Sequence, residues 1–105
     1  MYSIEELRRL CEPKNMVVTQ HSRKRFEERG IKISDICSAI SHGEIIEQYP
    51  NDYPFLSCLV LGTNGTSVLH TVVSVSDQFM YIITAYYPDP DKWENDWKTR
   101  KGETK

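Results

Sequence analysis

Phe55 to Tyr87, FLSCLVLGTNGTSVLHTVVSVSDQFMYIITAYY, decides the fold. The runs Phe55–Leu61, Ser67–Val75 and Phe79–Tyr87 are rich in Val, Ile, Tyr and Thr, the composition of strands. Thr63-Asn64-Gly65 and Ser76-Asp77-Gln78 interrupt them. Asn-Gly between β-rich runs is the strongest hairpin signal, because a type I′ turn needs positive φ at both central residues. One run upstream, Glu44–Tyr49, has the same character and ends at Pro50-Asn51-Asp52. The expectation is a four-stranded antiparallel meander. The polar, proline-bounded loop from Tyr49 to Tyr53 is able to gate a cleft.

Before Gly43 the apolar residues follow a helical period. Ser3 and Glu6 make a capping box ahead of Ile4, Leu7 and Cys11, so residues 4–12 read as a helix ended by Pro13. Met16 to Val18 is enough for a short strand. Thr19 caps a second helix, which Gly30 closes and which has only Phe26 as a large apolar anchor, placing it at an edge. Ser34 caps a third, with Ile36, Cys37 and Ile40 as its core stripe. After the meander, Asp89-Pro90 opens a closing helix carrying Trp93 and Trp97, with Lys98, Arg100 and Lys101 at its C-terminal end. The sum is α+β: two to three N-terminal helices on the sheet, then a C-terminal helix, as a single domain over residues 1–105.

A chain of 105 residues can bury one core without disulfides or metal. Three widely spaced cysteines, Cys11, Cys37 and Cys58, show no zinc-like spacing and leave one over from any disulfide framework. Reduced thiols in a cytoplasmic protein are the economical reading, and neither metal nor other cofactor is implied. No long apolar run points to a membrane. The net charge of -2 argues against gripping long nucleic acid by bulk electrostatics, although the cations are crowded onto one helix.

That helix carries TQHSRKRFEERGI, Thr19 to Ile31. Arg23 and Lys24 find Glu27 and Glu28 at i,i+4, whereas His21, Arg25 and Arg29 share a face with no acid at that spacing. Either a carboxylate from elsewhere, such as Glu44 or Glu47, or an anionic ligand compensates them. His70 sits among valines, where a histidine is ordinarily buried and satisfied by one hydrogen bond, but it is also central in the sheet. Thr84 and Tyr86 alternate onto one face of the last strand, and Tyr81 and Tyr87 onto the other. Tyrosines so placed stack on bases or anchor the sheet to a helix. His42 reads as a dipole partner at a helix C-terminus.

HSRKRFEERGI, HGEIIEQYP, VLHTVVSV and YIITAYYPDPDKW together resemble a bacterial domain-of-unknown-function family, with H-A-x-x-R-x-x-x-R-G-I, G-x-I-I-E-x-Y-P, L-H-V-V, T-x-Y-x-P-D and W in order from Val17 to Trp97. Ser22 stands where that family usually has alanine. The resemblance implies a fold similar to the RelE and BrnT toxins, with helices on a curved antiparallel sheet. It also implies a toxin–antitoxin arrangement with a small MqsA-like protein. Toxins of that fold cleave messenger RNA without metal, some only on the ribosome.

Two functional expectations follow. The first is a toxin-like, metal-independent endoribonuclease. It would act on RNA, free or on the ribosome, at a site that joins His21 as base and Arg25 and Arg29 as phosphate-binding cations to His70 from the sheet, with Tyr86 nearby. The second is a non-catalytic module of the same fold that binds a protein partner.

Overall fold

The computed structural model describes residues 1–52 and 55–102, so the loop read as a gate ends at Tyr53, outside the described residues. Ser3 opens helix α1 (Ile4–Arg9) by accepting the Glu6 N–H on its hydroxyl at 3.2 Å. A 3-10 turn at Pro13–Asn15 leads to strand β1 (Met16–Val17). Thr19 then caps helix α2 (Gln20–Glu28) by accepting the Ser22 N–H at 3.1 Å, and Gly30 leaves the helix at φ +70°. Helix α3 (Ile33–Ser41) begins one residue before the expected cap. The carboxylate of Asp35 accepts the Lys32 N–H at 2.9 Å, so Ser34 has no capping to do.

Strands β2 (Glu44–Tyr49), β3 (Ser57–Thr63), β4 (Val68–Ser76) and β5 (Phe79–Tyr86) form the expected antiparallel meander. The sheet nevertheless has five strands and is mixed. β1 pairs parallel to β5 through Met16 with Met80 and Val17 with Tyr81, giving the order β1-β5-β4-β3-β2. The β3–β4 hairpin is also wider than a type I′ turn: it spans Asn64 to Ser67, and only Gly65 has positive φ. Asn64 acts through its side chain, accepting the Thr66 and Ser67 N–H groups at 2.9 and 2.8 Å, an Asx turn in place of a left-handed backbone.

Register divides the sheet into two faces. Cys58, Val60, Leu69, Val73, Ile82 and Ala85 meet α1 and α3 in the main core, and Phe26 is the one buried residue of α2. Burying an aromatic of that size contributes roughly 1.5–3 kcal/mol, which holds an otherwise polar helix at the edge. α3 approaches β3 closely because Gly62 has no side chain: a Cβ there would lie 2.1 Å from the Ala39 carbonyl oxygen. Thr71, on the same face, has a buried hydroxyl with no hydrogen-bond partner among the described residues.

The closing helix does not form. Asp89 accepts the Lys92 and Trp93 N–H groups in a single turn, after which the chain doubles back, with Glu94 N–H donating to Thr99 and Lys101 N–H to Lys92. Asp96 ends the helical course by accepting the Lys98 and Thr99 N–H groups at 2.9 and 3.0 Å. A short acidic side chain competes in this way with helical backbone bonds. Trp97 takes φ +61° at the turn. The result is a strap, residues 88–102, lying over the second face of the sheet.

Two substitutions test this packing in urea unfolding. Gly62→Ala pushes α3 off the sheet and is expected to cost about 1–3 kcal/mol. Thr71→Val replaces the orphan hydroxyl by a methyl group of the same shape and is expected to raise stability by about 1 kcal/mol.

Candidate functional site

On the strap side, His70 faces Leu61 of β3 and Tyr86 of β5. Its ring is fully buried. Nε2 lies 2.8 Å from the Trp97 carbonyl oxygen, which can only accept, so Nε2 carries the proton. Nδ1 is then an acceptor, and the Tyr86 hydroxyl at 3.3 Å donates to it. Trp93 stands edge-on to the ring at 4.5 Å and Tyr86 at 5.4 Å between centroids. Burial lowers the His70 pKa from its ordinary 6.5, with Arg100 adding to the effect, while the Trp97 bond and Glu47 oppose it. The ring is therefore neutral, and both its nitrogens are engaged.

Glu47 and Arg100 close the strap over the far side of the sheet. Arg100 donates to both carboxylate oxygens, Nε and Nη2 each at 3.0 Å, and its guanidinium lies 4.7 Å from the centroid of Trp93. Tyr49 donates its hydroxyl to the same carboxylate. These donors, Arg100 foremost, hold the Glu47 carboxyl below its usual range. Lys98 pairs with Glu44 at 3.0 Å. The two acids offered as partners for the α2 arginines are thus occupied by the strap.

Arg29 takes backbone partners instead. Its Nη1 donates to the Ala85 carbonyl at 2.7 Å and to the Thr84 hydroxyl at 3.3 Å. Ser22, seven residues earlier on the same face, donates its hydroxyl to the Ile83 carbonyl at 3.1 Å. β1 covers β5 only at Met80 and Tyr81, so beyond it α2 satisfies the bare strand edge. Ser22 therefore has a defined role. Arg25 makes no ion pair or side-chain hydrogen bond among the described residues, and it is exposed, as is His21. At 100° per residue, both lie on the opposite side of the Ser22–Arg29 line from buried Phe26. Since Phe26 points to the helix-covered face, Arg25 and His21 lean toward the strap-side face.

Tyr86 is a titratable group of this face that stays partly open to solvent. It is half-buried and lines a cavity of about 370 Å³ with Tyr87, Asp89, Lys92, Trp93 and Arg100. Burial raises its pKa above the ordinary 10.0, so the phenol is a proton donor at neutral pH. Tyr81 joins Thr84 and Tyr86 on this face, against the alternation expected for it. A bulge at Ile83 shifts the register between Val72–Thr84 and Val73–Ile82, and an extra residue reverses the facing of everything before it. Among the five expected site residues, His70 and Tyr86 touch and Arg29 joins at the β5 edge through Thr84 and Ala85, whereas His21 and Arg25 are exposed on α2 and make no side-chain hydrogen bond to the others among the described residues. Lys92 and Arg100 were missed as neighbours because a helix was expected where the strap folds. His42 caps α3, its Nδ1 3.2 Å from the Ser38 carbonyl.

An α+β domain whose cationic edge helix borders a mixed five-stranded sheet is the class of protein that fold and site define. The chain belongs to the family described as a domain of unknown function, DUF4258, whose model matches residues 18–87. That span runs from just after β1 through β5 and leaves out α1, β1 and the strap. No curated protein and no solved structure matches the chain. No helix among the described residues is long and apolar enough to cross a membrane.

Two measurements check the strap. Because the folded pKa of His70 is depressed, the unfolded chain binds its proton first. Stability is therefore complete above pH 6.5 and lost as pH falls from there toward the folded value. In His70→Gln this step vanishes, while the one from Glu47, below its ordinary 4.5, remains. Trp93→Ala is expected to cost about 3–5 kcal/mol and to expose residues 88–102 to limited proteolysis.

Proposed function

We propose that this chain is a toxin-like, metal-independent endoribonuclease that binds RNA on the strap-side face between α2 and the strap. The observation that carries the reading is the half-buried Tyr86 hydroxyl, backed by His70 and bordered by Arg29 at the sheet edge. In the reaction, the ribose 2′-oxygen forms a bond to phosphorus as His21 takes its proton. The bond to the 5′-oxygen breaks as the Tyr86 hydroxyl turns from His70 Nδ1 to the leaving oxygen and gives it its proton, leaving a cyclic phosphate and a 5′-hydroxyl. Arg25 and Arg29 stabilise the phosphorane charge, to which a planar guanidinium fork is suited. Two of the five Arg29 N–H groups go to β5, leaving donors for phosphate. His70 positions Tyr86 and does not itself touch substrate. The RelE-like resemblance supports the assignment, and with it a small zinc-finger or helix-turn-helix antitoxin as partner and the cytoplasm as location.

The second reading is a non-catalytic interaction module, favoured by the complete burial of His70, which is how a purely structural histidine is held. An acidic partner protein would then dock on the Arg25 side of α2. The deciding measurement is RNA integrity with purified protein, with and without ribosomes, in the presence of chelator, together with growth on expression. Cleavage to cyclic-phosphate and 5′-hydroxyl ends is expected. Tyr86→Phe and Arg25→Ala are each expected to lower it by about 100-fold or more at nearly unchanged melting temperature. Intact RNA in every condition, with no growth effect, leaves the interaction module.

A further inference from the structure

Three sulfur atoms meet where α1, β1 and α3 come together. Cys11 follows the last turn of α1, Met16 opens β1, and Cys37 lies on α3. The Cys37 thiol donates to Met16 Sδ at 3.3 Å, and the Cys11 side chain neighbours the Cys37 thiol. All three residues are half-buried, and Cys11 and Met16 rest against the apolar core. We propose that Cys11, Cys37 and Met16 form a binding site for a soft monovalent metal ion of the copper(I) type.

The donor set selects the ion. Two thiolates and a thioether are soft ligands, which favour copper(I) over magnesium, calcium or manganese. Zinc ordinarily takes four ligands from cysteine, histidine and carboxylate, and a thioether does not replace one of them. Among the described residues, no group of three or more His, Cys, Asp or Glu side chains is arranged to hold a metal. Drawing the three sulfurs from separate elements fixes their spacing by the fold, which lowers the ordering cost of binding. On binding, each thiol gives its proton to solvent and its sulfur lone pair to the metal. The thioether adds a neutral lone pair, and no electron is transferred.

Disulfide formation is the competing use of two neighbouring cysteines, and the surroundings disfavour it. Burial, with Cys37 beside it, pushes the Cys11 thiol up to about 12, and burial raises Cys37 as well. The groups acting on the two thiols are each other and the Ser41 hydroxyl, with no cation to stabilise a thiolate. Protonated thiols are slow nucleophiles toward oxidants, whereas a soft metal displaces their protons directly. Apparent affinity then rises by about a hundredfold per pH unit, because two protons leave for each ion bound. The site is independent of the RNA reading, since α3 packs on the sheet face opposite the strap.

The test uses the reduced full chain in oxygen-free buffer, titrated against the copper(I)–bicinchoninate complex. One equivalent of copper(I) should be withdrawn from the indicator, and an equal excess of zinc(II) should not displace it. Cys11→Ser and Cys37→Ser should each abolish uptake. Met16→Leu, which preserves volume, should weaken uptake while circular dichroism stays unchanged. Cys58→Ala, in the core away from the cluster, should leave uptake intact. No withdrawal of copper(I) by the wild-type chain would overturn the proposal. So would undiminished uptake in both serine variants, or an affinity that does not change with pH. A Cys11–Cys37 disulfide formed in air, with no uptake by the reduced chain, would assign the pair to redox chemistry instead.

Discussion

The hydrogen bond from the His70 ring to the Trp97 carbonyl closes the second face of the sheet. α1 and α3 cover only one side, and the other would leave Leu59, Leu61 and Val72 in water without the strap. Irregular backbone can lie over a sheet only if its own polar groups are satisfied. Asp96 and the short pairing between residues 92–94 and 99–101 satisfy several of them. The left-handed turn at Trp97 then directs its carbonyl at the His70 ring of β4, which donates to it. Such a bond contributes only about 0.5–1.5 kcal/mol net, but leaving either partner buried and unpaired costs more. A histidine in a run of valines is therefore required by the strap.

The exposed edge of β5 imposes a second constraint. β1 is two residues long, so the Ile83 and Ala85 carbonyls would point at solvent beside a polar helix. Ser22 and Arg29 meet them, and their seven-residue spacing brings both to one line along α2. With Phe26 as its single buried residue, α2 depends on these bonds for orientation. Arg29 is thereby pinned at the border of the strap-side face with part of its guanidinium uncommitted. Its neighbour Arg25, one turn away, has no such tether.

Much of this was legible in the sequence where local chemistry decides the outcome. Ser3 and Thr19 as caps, Gly30 as a left-handed exit and the meander from Glu44 to Tyr86 all depend on residues near one another in the chain. The misreadings arise where distant residues decide. Asp89-Pro90 does start a turn, but the sheet face and the Asp96 side chain together outweigh two tryptophans at helical spacing. Tyr81 was assigned to the wrong face because strict alternation has no place for the bulge at Ile83, a feature set by pairing with β4. Asn64 kept its hairpin while changing its means. Among the site residues, the shared α2 face of His21, Arg25 and Arg29 followed from helical spacing. That Arg29 would bond carbonyls, and that Glu44 and Glu47 would be claimed by Lys98 and Arg100, depended on a strap that was expected to be a helix.

Coverage by the strap also limits the chemistry available to this face. A ring that is buried, neutral and bonded at both nitrogens cannot accept a proton from a substrate without dismantling the strap. What it can do is hold the Tyr86 phenol in a fixed direction while leaving the proton on the phenol oxygen. Burial works the same way, since it penalises the phenolate. Tyr86 thus keeps its proton at neutral pH, and gives it to a departing alkoxide only by turning its hydroxyl away from His70 Nδ1. In the proposed reaction the base must come from outside the sheet, and His21 is the imidazole on the cationic side of α2. In the proposed reaction the proton transfers fall to two residues, a phenol held by the sheet and the imidazole carried by the edge helix that the sequence offers as the base. Their approach depends on how α2 sits against β5, which returns the question of catalysis to the Ser22 and Arg29 tethers.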